Sequence, residues 1–315
     1  MKKIELSTIV SCISFSGKRL DKVLAQLFKE YSRSYLKKLI LINQVLVNKS
    51  IVNQPDKKIS VGEIITIYPI LKDLKFNFPE NIPLNIIYED NDILVINKPA
   101  GLVVHPGSGN NTGTILNALL YHYKNIKYLP RAGIVHRLDK DTTGLMVVAK
   151  TIYAYNYLLK ILKKRKITRE YQGIVKGNMI SGGIINAPIM RHHMKRTSMM
   201  VHSLGKTSIT HYKIINRFKY HTHISIRLET GRTHQIRVHM LYIKHPLVGD
   251  PCYKGIERGI NYKKNEDINK IYTFPRQALH ASHISFVHPV TQNLMSWTVS
   301  LPEDMKKLLV YLQNT

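Results

Sequence analysis

The segment best suited to carry chemistry is IVHRLDKDTTGLMVVAK, residues 134–150, which places one carboxylate, Asp139, close behind His136 and Arg137. The apolar run at 145–149 predicts a short buried strand, which would fix the loop before it in space. A carboxylate held in such a loop can act as a general base or as a nucleophile. The alternative is a surface Arg–Asp pair ahead of a core strand, which is common and contributes only about 0–1 kcal/mol.

Other kinds of chemistry find little support. The chain has two cysteines, Cys12 and Cys252, so it has no disulfide framework and no cysteine metal site. Its fifteen histidines are not joined by a carboxylate set at ligand spacing. The GKT triplet at 205–207 lacks the earlier glycine of a P-loop, because Met200 stands there. The sequence therefore predicts catalysis without a metal or another cofactor.

Charge is the strongest feature of the composition. The 315 residues include 47 Lys and Arg against 20 Asp and Glu, a net charge of +27. Such a field attracts polyanions and indicates a nucleic-acid partner. The chain is also rich in Ile, Asn and Tyr, so drifting base composition could account for part of the lysine excess. No apolar run approaches the ~20 residues of a membrane span. We expect a protein of the reducing cytoplasm.

Residues 1–75 are expected to form a small separate domain. Leu20, Val23, Leu24 and Leu27 recur at helical spacing, and Leu36, Leu39 and Ile40 predict a second helix after a cap at 31–34. Strands are predicted at 45–47 and 64–67. Basic residues cluster at the second helix: Arg33, Lys37 and Lys38. The pattern fits an RNA clamp or a protein–protein module.

Residues 76–315 are expected to form the catalytic domain, after a linker at about 72–83 that contains two prolines. Short strands are predicted at 93–96, 102–104, 174–175, 210–215 and 223–228. Helices are predicted at 114–123, at 151–166 and after Pro302, and 253–274 is predicted to be an exposed loop. Strands mixed irregularly with helices favour an α+β fold with a mixed, mostly antiparallel sheet.

Four segments together carry a resemblance to a known family: 134–150, NKPAGLVVHPG at 97–107, TGRTHQIRVH at 230–239 and HPLVGDPCY at 245–253. The chain resembles the pseudouridine synthases that modify ribosomal RNA. The resemblance implies that Asp139 is the essential catalytic residue and that the Arg237 guanidinium pairs with it. It also implies that the Tyr171 ring packs on the target base while its hydroxyl helps to move a proton. Without the resemblance, Arg237 could lie on an edge strand and Tyr171 could simply fill the core.

A uridine within folded RNA must leave its stack before these groups can reach it. Arg137 and His136 are the candidates to fill the vacated space or to hold the RNA backbone. The first domain resembles the alpha-L RNA-binding domain over about 18–69. It departs from that pattern at Gln44 and Lys49, where glycines are usual, which predicts a looser turn at 48–49.

The function expected from the resemblance is isomerisation of uridines in large-subunit ribosomal RNA, free or in a pre-ribosomal particle. The enzyme would be a monomer that needs no protein partner and no cofactor. A related synthase with another rRNA or tRNA target is one alternative. The other is a non-catalytic ribosome-assembly factor that binds RNA through its N-terminal domain.

Overall fold

A computed structural model describes residues 5–28, 31, 33–69, 78–107, 109–195, 197–255 and 266–314. The chain divides into two compact units, Met1–Lys75 and Phe76–Thr315. No helix in these described ranges is both long and apolar enough to cross a membrane.

The first unit packs two helices against a small antiparallel sheet. Its strands and helices, in chain order, are β1 (Leu6–Ile9), β2 (Lys18–Arg19), α1 (Leu20–Leu27), α2 (Arg33–Leu41), β3 (Val45–Val47), β4 (Ser50–Ile51), β5 (Lys58–Ile59) and β6 (Ile64–Ile67). The main sheet has the order β1-β6-β3-β4. The periodic leucines and isoleucines of α1 and α2 are buried against this sheet, as their spacing predicts. Both predicted helices and both predicted strands are confirmed.

The turn between β3 and β4 corrects one expectation. Asn48 and Lys49 have φ values of 50° and 66°, the two left-handed residues of a tight hairpin turn. The turn is therefore not loosened by the lysine, which adopts a conformation that costs about 1 kcal/mol more than glycine would.

The second unit is built on one large sheet. Its elements are β7 (Ile86–Glu89), β8 (Ile93–Lys98), α3 (Ile115–His122), β9 (Thr143–Ala149), α4 (Ile152–Lys163), β10 (Thr168–Lys176), β11 (Gly183–Asn186), β12 (Ile189–Arg191), β13 (Met199–Val201), β14 (Ile209–Arg217), β15 (His221–Leu228), α5 (Gln235–Tyr242), α6 (Glu266–Tyr272), β16 (Leu279–Val287), β17 (Leu294–Thr298) and α7 (Glu303–Gln313). The strand order is β11-β14-β15-β10-β16-β9-β8-β7, with β17 added beside β16. Every pair in this sheet is antiparallel except β9 with β16. The predicted α+β fold with a mixed, mostly antiparallel sheet is confirmed.

The centre of this sheet is buried on both faces. Strand β9 has all seven residues buried, and alternate residues of β8 and β9 belong to different apolar cores. Leu94 and Met146 pack with the core that includes Tyr171, whereas Val95 and Val147 pack with the core that includes α4. A loop that begins or ends on β9 is therefore attached to the most rigid part of the unit.

Three expectations differ from the structure. The run at 102–104 forms only an isolated bridge from Val103 to Thr114. Helix α6 occupies part of the stretch predicted to be a loop at 253–274, whose residues 256–265 lie outside the described ranges, as do 72–77 of the predicted linker. The QIR segment opens helix α5, so the alternative of an edge strand is wrong.

Candidate active site

Asp139 lies in a loop anchored to β9 at both ends. Ile134 bridges to Val148, and the backbone N–H of Val147 donates to His136 Nε2 at 3.1 Å. The loop then runs directly into β9 at Thr143. Asp139 keeps 17% of its side chain exposed. A carboxylate so placed is fixed in position yet open to solvent on one side.

Gly144, the second residue of β9, permits the close parallel pairing with β16. Its φ is 112°, and a Cβ there would come within 2.2 Å of the carbonyl oxygen of Ala281. Only glycine fits this combination of backbone angle and contact. The pairing therefore fixes the strand immediately after the Asp139 loop.

The structure brings Arg237 to Asp139 across 98 residues of sequence. Arg237 Nη1 donates to Asp139 Oδ2 at 3.1 Å. Its Nε and Nη2 donate to both oxygens of Asp250, at 2.7 and 2.8 Å. The guanidinium is 5% exposed and is thus held as a rigid fork between two carboxylates. Burial alone would lower the pKa of Arg237, but Asp250 and then Asp139 outweigh burial and raise it.

Asp250 is a further residue of the candidate site, and it was not predicted from the sequence. Its Oδ1 also accepts the backbone N–H groups of Cys252 and Tyr253, at 2.9 and 3.0 Å. Gly249, with a φ of 72°, turns the chain just before it, and a Cβ there would lie 2.1 Å from the carbonyl oxygen of Arg276. The GDP sequence within 245–253 is the local signal of this turn, but nothing local identifies its partner.

Helix α5, which carries Arg237, is held by two further buried polar side chains. Gln235 donates through Nε2 to the carbonyl oxygen of Ile209 and to Thr210 Oγ1, both at 3.0 Å. His239 Nε2 donates to the carbonyl oxygen of Ala187 at 2.9 Å, which leaves its Nδ1 to accept from Thr210. These contacts fix the helix against β14, so the position of Arg237 follows from the sheet.

His234 and Tyr253 form a second pair beside Asp139 that the sequence analysis did not assign. His234 Nε2 lies 3.9 Å from Asp139 Oδ2, and its Nδ1 lies 2.9 Å from the Tyr253 hydroxyl. That hydroxyl accepts the backbone N–H of Met199 at 2.8 Å, so its own proton points to His234 Nδ1. Neutral His234 consequently carries its proton on Nε2, facing Asp139.

Burial sets the protonation of this pair. It lowers the pKa of His234, although the charge of Asp139 opposes this, and it raises the pKa of Tyr253 to about 12. At neutral pH both side chains are uncharged, so Arg237 is the cation that is bonded to Asp139.

Tyr171 lies on β10, on the face that packs with the core beneath the Asp139 loop. It is 6% exposed. Burial raises the pKa of Tyr171, the charge of Asp139 adds to this, and Arg169 opposes it. Strand β16 has an extra residue opposite Tyr171, a bulge of the kind often found beside active sites. Tyr171 is therefore a neutral phenol within the electrostatic reach of Asp139.

The two predicted RNA contacts of the loop are placed differently. Arg137 is exposed and forms no hydrogen bond or ion pair with any described residue. His136 turns inward to accept from Val147, and burial lowers its pKa to about 3. Arg137 is thus free to meet a ligand, whereas the ring nitrogen Nε2 of His136 is engaged in holding the loop.

Lys98, at the end of β8, connects a second segment to the Asp139 loop. Its Nζ donates to the carbonyl oxygens of Pro99, Leu102 and Lys140, at 2.7, 3.0 and 2.6 Å. Burial lowers the pKa of Lys98 to about 7, against the opposing charges of Asp141 and Asp139. Three carbonyl acceptors nevertheless match the three N–H donors of an ammonium group. The loop is thereby fixed one residue after Asp139.

A cluster in the described part of the second unit has potential metal ligands. One ligand atom from each of Asp90, Asp92 and His288 lies within 4.8 Å of the others. His288 Nε2 contacts Asp90 at 2.9 Å, and its Nδ1 accepts the N–H groups of Val290 and Thr291. Both ring nitrogens are therefore used within the fold, and the cluster stabilises a turn. This His–Asp grouping was not predicted from the sequence.

In the first unit, the predicted basic residues divide into two kinds. Arg33 donates to Asp21 Oδ2 at 2.6 and 3.1 Å, while Arg19 donates to Asp21 Oδ1 at 3.1 Å. This ion pair ties α2 to α1, although half of the Arg33 side chain is exposed. Lys37 and Lys38 are exposed on α2, and no described residue pairs with them.

Comparison with known proteins agrees with this arrangement. Residues 92–242 match the RNA pseudouridylate synthase family, and residues 18–65 match the S4 domain. The chain is 70% identical to ribosomal large subunit pseudouridine synthase D of Buchnera aphidicola subsp. Acyrthosiphon pisum, over 98% of this chain and 99% of that protein. It is 65% identical to the protein of that name from Buchnera aphidicola subsp. Schizaphis graminum, over 100% of both.

The fold also matches a solved structure. Human RNA pseudouridylate synthase domain containing 4 superposes with a TM-score of 0.58 at 24% identity, covering 73% of this chain and 93% of that chain. This likeness concerns the fold alone. The sequence relatives extend over both units, so this chain belongs to the RNA pseudouridine synthase family.

Proposed function

We propose that this chain converts uridines of large-subunit ribosomal RNA to pseudouridine, with Asp139 as its single catalytic carboxylate. The observation that carries the proposal is the Asp139–Arg237–Asp250 chain, in which a buried guanidinium holds one partly exposed carboxylate. The choice of ribosomal RNA as substrate is supported by the names of the relatives, by the S4 domain and by the charge of +27.

The two oxygens of Asp139 have different surroundings. Arg237 and His234 both approach Oδ2, and Oδ1 has no hydrogen-bond partner among the described residues. We therefore assign Oδ1 as the reacting atom. Two routes remain open to it: addition to the sugar carbon C1′, or removal of a proton from the sugar.

The reaction is an internal rearrangement. The bond from C1′ to N1 of uracil breaks, the base turns, and a bond from C1′ to C5 forms. C5 then loses a proton and N1 gains one, so no oxidant, water or cofactor is consumed. In this scheme Tyr171 packs on the base, and its neutral hydroxyl relays the C5 proton, because a phenol with a raised pKa is a poor phenolate base at neutral pH.

Substrate contacts are assigned from exposure. Arg137, exposed beside Asp139, takes the space that the flipped uridine leaves or holds the adjacent backbone. His136 supports the same loop from within. Lys37 and Lys38 contact phosphates, and the exposed half of Arg33 can add to that surface. The proposed enzyme acts in the cytoplasm as a monomer, without a metal, another cofactor or a protein partner, on free rRNA or on a pre-ribosomal particle.

The decisive experiment is pseudouridine mapping on large-subunit rRNA and on immature large subunits after incubation with the purified protein. Asp139→Asn serves as the matched variant because it removes the charge and keeps the shape. We expect new pseudouridine with the wild type only, while both proteins bind RNA equally. Binding without modification by the wild type would favour an assembly factor, and modification of tRNA instead would favour a synthase with another target.

A further inference from the structure

Arg169 is a buried cation that the arrangement around Asp139 does not use. It lies on β10 two residues before Tyr171, so the two side chains share one face of the strand. Arg169 is 9% exposed. Long basic side chains are rarely buried to this extent without a partner.

Arg169 has no partner of opposite charge among the described residues. Its Nε is fully buried without a hydrogen bond, and neither terminal nitrogen bonds or pairs with any described residue. The neighbouring carboxylates are occupied elsewhere. Glu229 is bound by Arg165 and His211, at 2.9 and 2.6 Å, and Asp139 is bound by Arg237. The positive charge of Arg169 is therefore not neutralised within the described part of the protein.

The guanidinium lies against the loop that leads into α5. A Cβ built on Gly231 would come within 2.7 Å of Arg169 Nη1, so the group sits directly beneath that glycine. Its charge adds to the burial that lowers the pKa of His136, and it opposes the burial that raises the pKa of Tyr171. Arg169 thus lies close to three parts of the site: the loop that carries Asp139, the loop before Arg237, and the Tyr171 side chain.

An unpaired buried charge destabilises a protein. Such a group is expected where a ligand supplies the missing charge, because function tolerates local instability that folding alone would remove. In RNA the fixed negative charge is the phosphodiester, whereas uracil is neutral. We propose that Arg169 binds a phosphodiester next to the target uridine. This inference rests on the proposed function, since it takes RNA to be the substrate.

The test combines a protein change with a change in the RNA. Short RNA substrates carry one neutral methylphosphonate at each linkage in turn around the target uridine, and their binding to the wild type and to Arg169→Met is measured. With the wild type, one linkage should weaken binding about 10- to 100-fold, the loss of a charge-assisted contact. Arg169→Met should bind natural RNA more weakly by a similar factor and should be insensitive to that same linkage.

Two further readouts separate ligand binding from a structural role. The slope of log K against log salt should become shallower by about 0.7 in Arg169→Met, the value for one contact to single-stranded RNA. The RNA-free variant should unfold at the same temperature as the wild type or at a higher one, because an unpaired buried charge has been removed. Arg169→Lys, which keeps the charge, should recover part of the binding.

Arg165→Met is the matched control, because Arg165 is a half-exposed arginine paired with Glu229. RNA binding by Arg165→Met should weaken as much as binding by the wild type when the identified linkage carries a methylphosphonate. Equal penalties at that linkage in the wild type and Arg169→Met, no sensitive linkage in the wild type, or a lower unfolding temperature for the RNA-free Arg169→Met would each overturn the inference. Wild-type turnover on the unmodified RNA is scored separately, so a failure of the proposed function is distinguishable from a failure at Arg169.

Discussion

Replacement of Asp250 by asparagine tests whether the position of Asp139 depends on the second carboxylate of the site. The Asp250 side chain is fully buried and binds Arg237 through both oxygens. Asparagine can keep the oxygen that accepts from Cys252 and Tyr253. Its amide nitrogen would then face Arg237 Nε, donor against donor. Asp139 itself is left untouched.

The structure sets the expected magnitudes. Breaking a buried ion pair costs about 3–5 kcal/mol, and the lower end applies because Asp139 still neutralises Arg237. A loss of about 3 kcal/mol lowers the unfolding temperature of a domain of this size by roughly 6–12 °C. Once Arg237 is released from Asp250, it no longer fixes Asp139, and a misplacement of about 1 Å slows a reaction about 100-fold.

The assay is single-turnover formation of pseudouridine at saturating RNA, at a temperature where wild type and variant are both folded. We expect the rate constant of Asp250→Asn to fall about 100-fold while the Kd for RNA stays unchanged, since Asp250 is inaccessible to RNA. Asp21→Asn is the control: it removes a buried arginine-bound carboxylate from the other unit, and should cost stability without changing the rate constant. A wild-type rate constant in a destabilised Asp250→Asn would refute the reasoning.

Three other predictions follow from single contacts. Alanine at both Lys37 and Lys38 should make the slope of log K for RNA binding against log salt shallower by about 1.4, since each lost phosphate contact accounts for about 0.7. An unchanged slope would exclude contact of these two lysines with RNA. Lys98→Met leaves three carbonyl oxygens, including that of Lys140, without their donor. The single-turnover rate constant should therefore fall while the affinity for RNA stays constant. A wild-type rate constant would show that Lys98 does not position the Asp139 loop. Burial lowers the pKa of His280 to about 4, below its ordinary value of 6.5, so the unfolded chain binds a proton that the native state does not. As the pH is lowered from 6.5 to 4, this residue should therefore reduce the free energy of unfolding by about 1.4 kcal/mol per pH unit. Urea unfolding of His280→Asn should show a weaker dependence of this free energy on pH in the same range.

The local elements were predictable because their causes are local. Periodic leucines place α1 and α2, and the all-apolar run at 145–149 places β9. The strand predicted at 102–104 was wrong because strand formation also depends on non-local pairing. Three apolar residues satisfy the strand pattern, but no neighbouring strand supplies more than one bridge, and pairing is a property of the fold.

The site was predictable only in part. The resemblance to a known family identified Asp139, Arg237 and Tyr171 as site residues. The structure places Arg237 against Asp139. The spacing of residues along the sequence could not show that Asp139 and Arg237, 98 positions apart, are paired. It also could not show that Asp250 binds the same guanidinium group. Lys98 was also missed, because a lysine within an apolar strand shows its role only through the carbonyl groups that surround it.

Arg237 and Arg169, two of the buried arginines of the second unit, differ in how their charges are neutralised. Arg237 is bound by two carboxylates, so its charge is neutralised in the free protein and can fix Asp139 before any RNA arrives. Arg169 is 9% exposed, against 5% for Arg237, and has no counter-ion among the described residues. A fold selected for stability alone would have given Arg169 a carboxylate or replaced it by an apolar residue. The difference between the two therefore locates the place where RNA, rather than the protein, must supply the negative charge.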